Sequence, residues 1–282
     1  MKSVLKNVIR PVIAGQSSGE GVTDTDSDAF IARMGTAPSA LLAVLINKTF
    51  VDLKSAGIYT SLVQFTKANI HNETDAKLNW IGNTFPIVPV GAPTWTAKKG
   101  WKATTNKYLK SGFIPATELT AGKIGEDDCG LLTDMYENSG DLGSFVITGA
   151  FHSAYTGRRF SITTYSLAFP KCLGFLNSDV TGTWNQQDDI ASPNGIFYVE
   201  RNSNKMIGYA NKIKTSDIDV ANSTTTVDQE VFWGAVSWAT YAAYFSNAYI
   251  RTMVICKYLG PTKQALLYDI IKYFNDNVGG TF

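Results

Sequence analysis

Two histidines, His71 and His152, are the only imidazoles in the 282-residue chain. A Ser/His/Asp hydrolase needs one of them as its base. Neither stands beside a Gly-x-Ser-x-Gly elbow; the match to that spacing, Gly15-Gln-Ser-Ser-Gly19, falls in linker-like sequence. His152 ends an apolar run and precedes Ser153, Tyr155 and Arg158, the pattern of a strand-end residue with hydrogen-bond partners. His71 lies in the polar run Asn69-Ile-His-Asn-Glu73 and is expected on the surface. Sandwich glycosidases work with two carboxyls about 5–9.5 Å apart, commonly acids alternating along one strand as in Glu-x-Asp-x-x-Glu. Glu20, Glu73, Glu118, Glu126, Glu137, Glu200 and Glu230 contain no such arrangement. The clusters Glu126-Asp127-Asp128 and Asp188-Asp189 read as solvated loops, and only Asp228-Gln-Glu230 could present two carboxyls on one side. No enzyme activity and no catalytic residue is expected.

Metal and phosphate chemistry fare no better. Asp24-Thr-Asp-Ser-Asp28 resembles the start of a calcium loop, but Ala29 stands where its glycine should be and Gly35 where its last acid should be. Helix capping accounts for those acids. Cys129, Cys172 and Cys256 are widely spaced with no CxxC pair, which argues against zinc and for buried thiols, with one disulfide as the alternative. No GxxxxGK[ST] or GxGxxG loop occurs.

Surface recognition is left. Ser237-Trp-Ala-Thr-Tyr-Ala-Ala-Tyr-Phe-Ser-Asn247 is aromatic with little charge, and Trp184 stands alone among amides and hydroxyls. Trp184, Trp238, Tyr241 and Tyr244 are therefore the candidates for stacking on sugar rings or filling a subunit interface. Trp95, Trp101 and Trp233 are embedded in strand-like runs and belong to the core.

The elements that must position these residues are legible in part. Residues 1–24 form an arm in which Val4, Leu5, Val8, Ile9, Val12 and Ile13 precede linker-like Gly15-Gln-Ser-Ser-Gly-Glu-Gly21; those apolar residues are candidate anchors. Residues 25–80 read as a helical segment. Asp26 and Asp28 start one helix, and Ser39 opens another with Leu41, Leu42, Leu45, Ile46, Phe50 and Leu53 at helical steps before Gly57. A weaker pattern surrounds Ala76, Leu78 and Trp80. Residues 81–282 carry short β-branched and aromatic runs separated by turn signals, the pattern of a sandwich. A C-terminal amphipathic helix over 261–279 closes it, with Leu266, Leu267, Ile270, Ile271 and Phe274 as its apolar stripe.

A formal net charge of +1 with 17% charged residues gives no broad basic surface for nucleic acid. No run approaches the roughly 18 apolar residues of a membrane span, and no secretory signal is visible.

The order Asp28-Ala-Phe-Ile-Ala-Arg-Met34, Leu53-Lys-Ser-Ala-Gly57, Leu78-Asn-Trp80, Gly100-Trp101, Tyr108-Leu-Lys-Ser-Gly-Phe113, Phe232-Trp-Gly-Ala235 and Tyr258-Leu-Gly260 through Tyr268 resembles tailed-phage and prophage virion proteins. The resemblance touches residues 28–113 and 195–279. It implies a concanavalin A-like (LamG-like) antiparallel β-sandwich, or jelly roll, after a helical block. It also implies a head- or tail-fibre type subunit, made in the host cytoplasm and carried on the virion. The expected partners are the chain itself, as a symmetric trimer or dimer, other virion proteins through residues 1–24, and a host-surface glycan. No nucleic acid and no membrane insertion are expected. No cofactor is expected, although proteins of this fold often carry a structural calcium. A polysaccharide depolymerase and an inert spacer are the alternative readings, since one fold hosts many functions.

Overall fold

A computed structural model describes residues 23–137, 148–153, 158–164, 172–179, 194–220, 226–238, 241–243 and 245–279. Helices α1 (Thr25–Ile31) and α2 (Ala40–Ser55) lead into strand β1 (Leu62–Lys67). Short strands β2 (Val88–Val90), β3 (Thr94–Thr96), β4 (Gly100–Lys102) and β5 (Tyr108–Lys110) precede helix α3 (Pro115–Thr120). The body continues with β6 (Asp128–Tyr136), β7 (Thr148–Phe151), β8 (Arg158–Thr164), β9 (Cys172–Asp179), β10 (Gly195–Asn202), β11 (Lys205–Ala210) and β12 (Ile213–Asp219). It ends with β13 (Phe232–Trp233), β14 (Val236–Trp238), β15 (Tyr241–Ala243), β16 (Tyr249–Cys256) and helix α4 (Gly260–Val278).

Two sheets result. The first runs β12-β11-β10-β6-β16, and the far edge of β16 is shared. There β1 pairs with residues 252–256 and β4 with residues 249–250, followed by β3. The second runs β15-β14-β7-β13-β5-β2, with β8 and β9 on the other side of β7. Pairing is antiparallel except for β14 against β7. The chain is thus a mainly β sandwich with helical additions, as its sequence pattern predicts. Gly234 (φ +79) shows how closely the layers approach: a Cβ there would come within 2.2 Å of the Ala103 Cβ.

The helices cover the outer face of the first sheet. Asp24 caps α1, accepting from the backbone of Asp26 and Ser27, and its carboxylate pairs with Lys54 of α2 at 2.7 Å. Ser39 caps α2. Leu42, Leu45, Ile46, Phe50 and Leu53 are buried as their spacing requires, whereas Leu41 points outward with Val44 and Val51. Trp80 is the hub of this layer. Its ring lies 4.6 Å from Phe30, 5.8 Å from Phe50, 5.6 Å from Phe65 and 5.5 Å from Phe274 of α4.

Two expectations need correcting. The segment 25–80 is helical only to Ser55; Leu62–Lys67 is a strand of the first sheet, and around Ala76 the chain makes only a short 3-10 turn. The run Leu62-Val-Gln-Phe-Thr-Lys67 lacks an alternating pattern because both of its faces are covered. In α4, Gln264 is buried while Leu266 is partly exposed, so the apolar stripe is rotated from the one spacing implies.

Candidate functional site

The described residues include an open groove of about 350 Å³ where the helical block meets the edge of the first sheet. Its floor is Leu62, Val63, Ile81 and Phe85; Thr60, Ser61, Thr84, Lys123 and Lys257 supply the polar rim. Each wall has a local cause. On one side Asn79 stands in for a missing strand neighbour of β1. Its Oδ1 accepts from the backbone of Phe65 (2.9 Å) and Ile81 (3.1 Å), and its Nδ2 donates to the carbonyls of Val63, Ile81 and Thr84. One buried amide thus satisfies five backbone groups and sets the course of residues 81–84. On another side the Lys257 amide donates to the Ser61 carbonyl at 2.9 Å.

The third wall comes from the end of α3. Gly122 (φ +70) lets the backbone turn there, with Lys123 N bonded to Glu118 O and Gly122 N to Leu119 O, the Schellman pattern. This places Lys123 over the Phe85 ring at 4.4 Å, with its ammonium 2.8 Å from Glu118. Lys257 has no acidic partner among the described residues. The lining offers hydroxyl and ammonium donors over an apolar floor, and no carboxylate, imidazole or thiol lies among the lining residues. Such a surface can bind polar ligands through its hydroxyl and ammonium donors.

The residues singled out by sequence are dispersed. Trp184 and Tyr244 lie outside the described residues, as do Val4, Leu5, Val8, Ile9, Val12 and Ile13 of the arm. Trp238 and Tyr241 face each other in the β14–β15 register, but their side chains also lie outside what is described. Trp101 and Trp233 are buried, and Trp95 is half-buried with its Nε1 donating to the Ala68 carbonyl.

Titratable groups are used for construction. Asp228 accepts from Ser153 N at 2.8 Å and from the Ser153 hydroxyl, with His152 Nδ1 at 4.0 Å. Serine is thus bonded to the acid rather than to the imidazole, which is not triad order. Glu230 is engaged elsewhere, accepting from Gly112 N at 2.7 Å. His71 is half-buried rather than exposed, 3.3 Å from the buried Asp75. Asp127 and Asp128 are not free loop acids: one pairs with buried Arg201 at 2.7 Å, the other accepts from Tyr258 N at 2.7 Å. Cys129 and Cys256 are buried free thiols. No cluster of three or more His, Cys, Asp or Glu side chains arranged for a metal occurs among the described residues, and in the Asp24–Asp28 segment Lys54 supplies the cation.

Sequence reasoning missed two buried polar centres. Glu200 of β10 accepts from Tyr198 and Tyr209 hydroxyls (both 3.1 Å) and from the backbone of Leu259 (3.2 Å) and Gly260 (3.0 Å). It therefore caps α4, which has no side-chain cap of its own. Burial raises the Glu200 pKa, opposed by these donors. Tyr198 and Glu200 are both buried beneath the helix. The second centre joins Lys67, Asp134, Thr252 and Asn275 under α4. Single polar residues inside apolar strands carry no signal of which partners will meet them.

No family model matches the chain, and no curated protein matches it. The likeness is to solved structures. Trypanosoma rangeli sialidase in complex with sialic acid is 9% identical with a TM-score of 0.56, over 82% of this chain and 39% of that one. A structure described as HCR/D-Sa-GBL1/C is 12% identical with a TM-score of 0.52, over 77% of this chain and 53% of that one. A receptor binding domain is 13% identical with a TM-score of 0.50, over 76% and 51%. The chain spans two fifths to about half of these proteins. Identities this low show a shared fold.

Proposed function

We propose that the chain is a virion-surface subunit of a tailed phage whose sandwich binds a host-surface saccharide in the groove beside β1. The groove carries the reading. Its size suits a small ligand, for which pockets run from about 300 Å³ upward. Its apolar floor fits the C–H face of a pyranose, while Thr60, Ser61, Thr84, Lys123 and Lys257 offer partners for ring hydroxyls. Support for recognition on this fold comes from the solved structures, one described with sialic acid and one as a receptor binding domain. Support for the virion comes from the motif order. One of those motifs, Leu78-Asn-Trp80, has structural work in this chain: its Asn79 and Trp80 join the helical block to the sheet. The exposed Leu41, Val44 and Val51 lie on α2, whose Asn47 accepts from the Asp24 backbone, and offer an apolar face suited to contact with other virion subunits. Function is adhesion, with no covalent step.

The test is binding of the full chain to host cells and to an array of neutral and acidic saccharides, beside a Thr60→Trp variant that fills the groove. Saccharide binding by the native chain that is lost in the variant, with an unchanged unfolding midpoint, is the expected result. Equal binding by both, or none by either, overturns the reading.

A further inference from the structure

A second surface lies on the helix-side face of the first sheet, beyond the end of α4. In the strand register Tyr136 of β6 stands opposite Tyr249 of β16, Tyr249 opposite Lys102 of β4, and Lys102 opposite Thr94 of β3. These four positions form one row across four strands. Tyr136 is 36% exposed, and Tyr249 is half-buried. Lys98, in the turn before β4, donates to the Gly279 carbonyl at 2.9 Å and so borders the row with the end of α4.

The cations of the row are unevenly matched. The Arg251 guanidinium lies 4.8 Å over the Tyr136 ring and is held by Asp134 at 2.8 Å. The Lys99 ammonium is 5.5 Å from the Tyr249 ring and 2.7 Å from Glu137. Lys102 sits 5.5 Å from the same Tyr249 ring; it makes no close ion pair among the described residues, but Glu137, held first by Lys99, lies near enough to feel its charge as well. Three cations thus share two carboxylates, Asp134 and Glu137, which leaves positive charge in excess beside the two rings. A ring surface next to an excess of positive charge is complementary to a flat, partly apolar ring that carries a negative group.

We propose that the Tyr136–Tyr249–Lys102 row is a second ligand site, distinct from the groove, for an acidic saccharide. The sugar ring lies against Tyr249 and Tyr136, its anionic substituent pairs with Lys102, and Lys99 is close enough to share the charge on leaving Glu137. Carboxylate and sulfate substituents satisfy the same chemistry. This goes beyond the groove reading and does not depend on it.

The experiment is titration calorimetry on the full chain with a galacturonic acid trimer, a sulfated trisaccharide, maltotriose and inorganic sulfate, at low and at physiological salt. Either acidic trimer should bind in a salt-sensitive manner, since exposed charges are screened over about 8 Å at physiological salt. Lys102→Ala and Tyr249→Ala should each weaken it by about tenfold or more, while Lys214→Ala on β12 should not. If Tyr249→Ala fails to fold, Lys102→Ala and Lys99→Ala carry the test. Equal binding of maltotriose, binding of inorganic sulfate as tight as that of the trimers, or no effect of Lys102→Ala overturns the proposal. Loss on filling the groove with Lys102 variants unaffected would assign binding to the groove alone.

Discussion

Lys67 should make the stability of this protein depend on pH in an unusual direction. Its side chain is fully buried, with Nζ 2.7 Å from both Thr252 Oγ1 and Asn275 Oδ1 and 4.7 Å from the Phe274 ring. Asp134 and Arg251 are the charged groups that face it. Desolvation lowers its pKa from 10.5 to about 7; the attraction of Asp134 works against the shift and the repulsion of Arg251 adds to it. Between pH about 7 and about 10.5 the unfolded chain therefore holds a proton that the fold does not. Stability must rise with pH across that window, by up to about 1.4 kcal/mol per pH unit. The full shift corresponds to about 5 kcal/mol, and about 2 kcal/mol of it falls between pH 6.5 and pH 8.5. Denaturant unfolding followed by tryptophan fluorescence, at several pH values, measures the slope. The comparison is with Lys67→Met, which keeps the length of the side chain and removes the titration. Asn275 Oδ1 still accepts from Asn69 in that variant, and Asp134 still holds Arg251, Thr252 and Asn275, so little is orphaned. Subtracting the two curves cancels the other titrating groups. A difference that grows toward low pH by about 2 kcal/mol is expected; parallel curves would refute a buried, deprotonating Lys67.

Two further outcomes follow from the same interior. Glu200→Ala should cost about 3 kcal/mol, because it leaves two tyrosine hydroxyls and the start of α4 without an acceptor; Glu200→Gln should restore part of this, read from unfolding midpoints and from amide exchange at Leu259 and Gly260. Burial pushes the Cys256 thiol up to about 12 and the Cys129 thiol well up too. In a Cys172→Ser background, neither should react with a thiol reagent at neutral pH until the chain unfolds; prompt labelling of the folded chain would show that the β6–β16 interior opens.

The local elements were legible in the sequence because their causes are local. Serine at position 39, apolar residues at helical steps and Gly57 specify α2 without reference to the rest of the chain. The same holds for the cap and first-turn acids of α1, and for the short β-branched runs that became β10 and β16. From many such runs a two-layer sandwich follows, since each must bury a face. Tertiary structure alone decided everything that depends on distant partners. Leu62–Lys67 reads as neither strand nor helix until β16, Asn79 and the helices enclose it. Asn79 looks like any loop amide, and only the missing neighbour of β1 makes it the partner of five backbone groups. Glu200 caps a helix that begins 60 residues later, and Lys67 meets Asp134, Thr252 and Asn275 from four separate segments. The groove and the tyrosine row arise the same way. A side chain's type and its neighbours in sequence determine its local conformation, but its charge, its partners and its access to a ligand are set by what the fold packs against it.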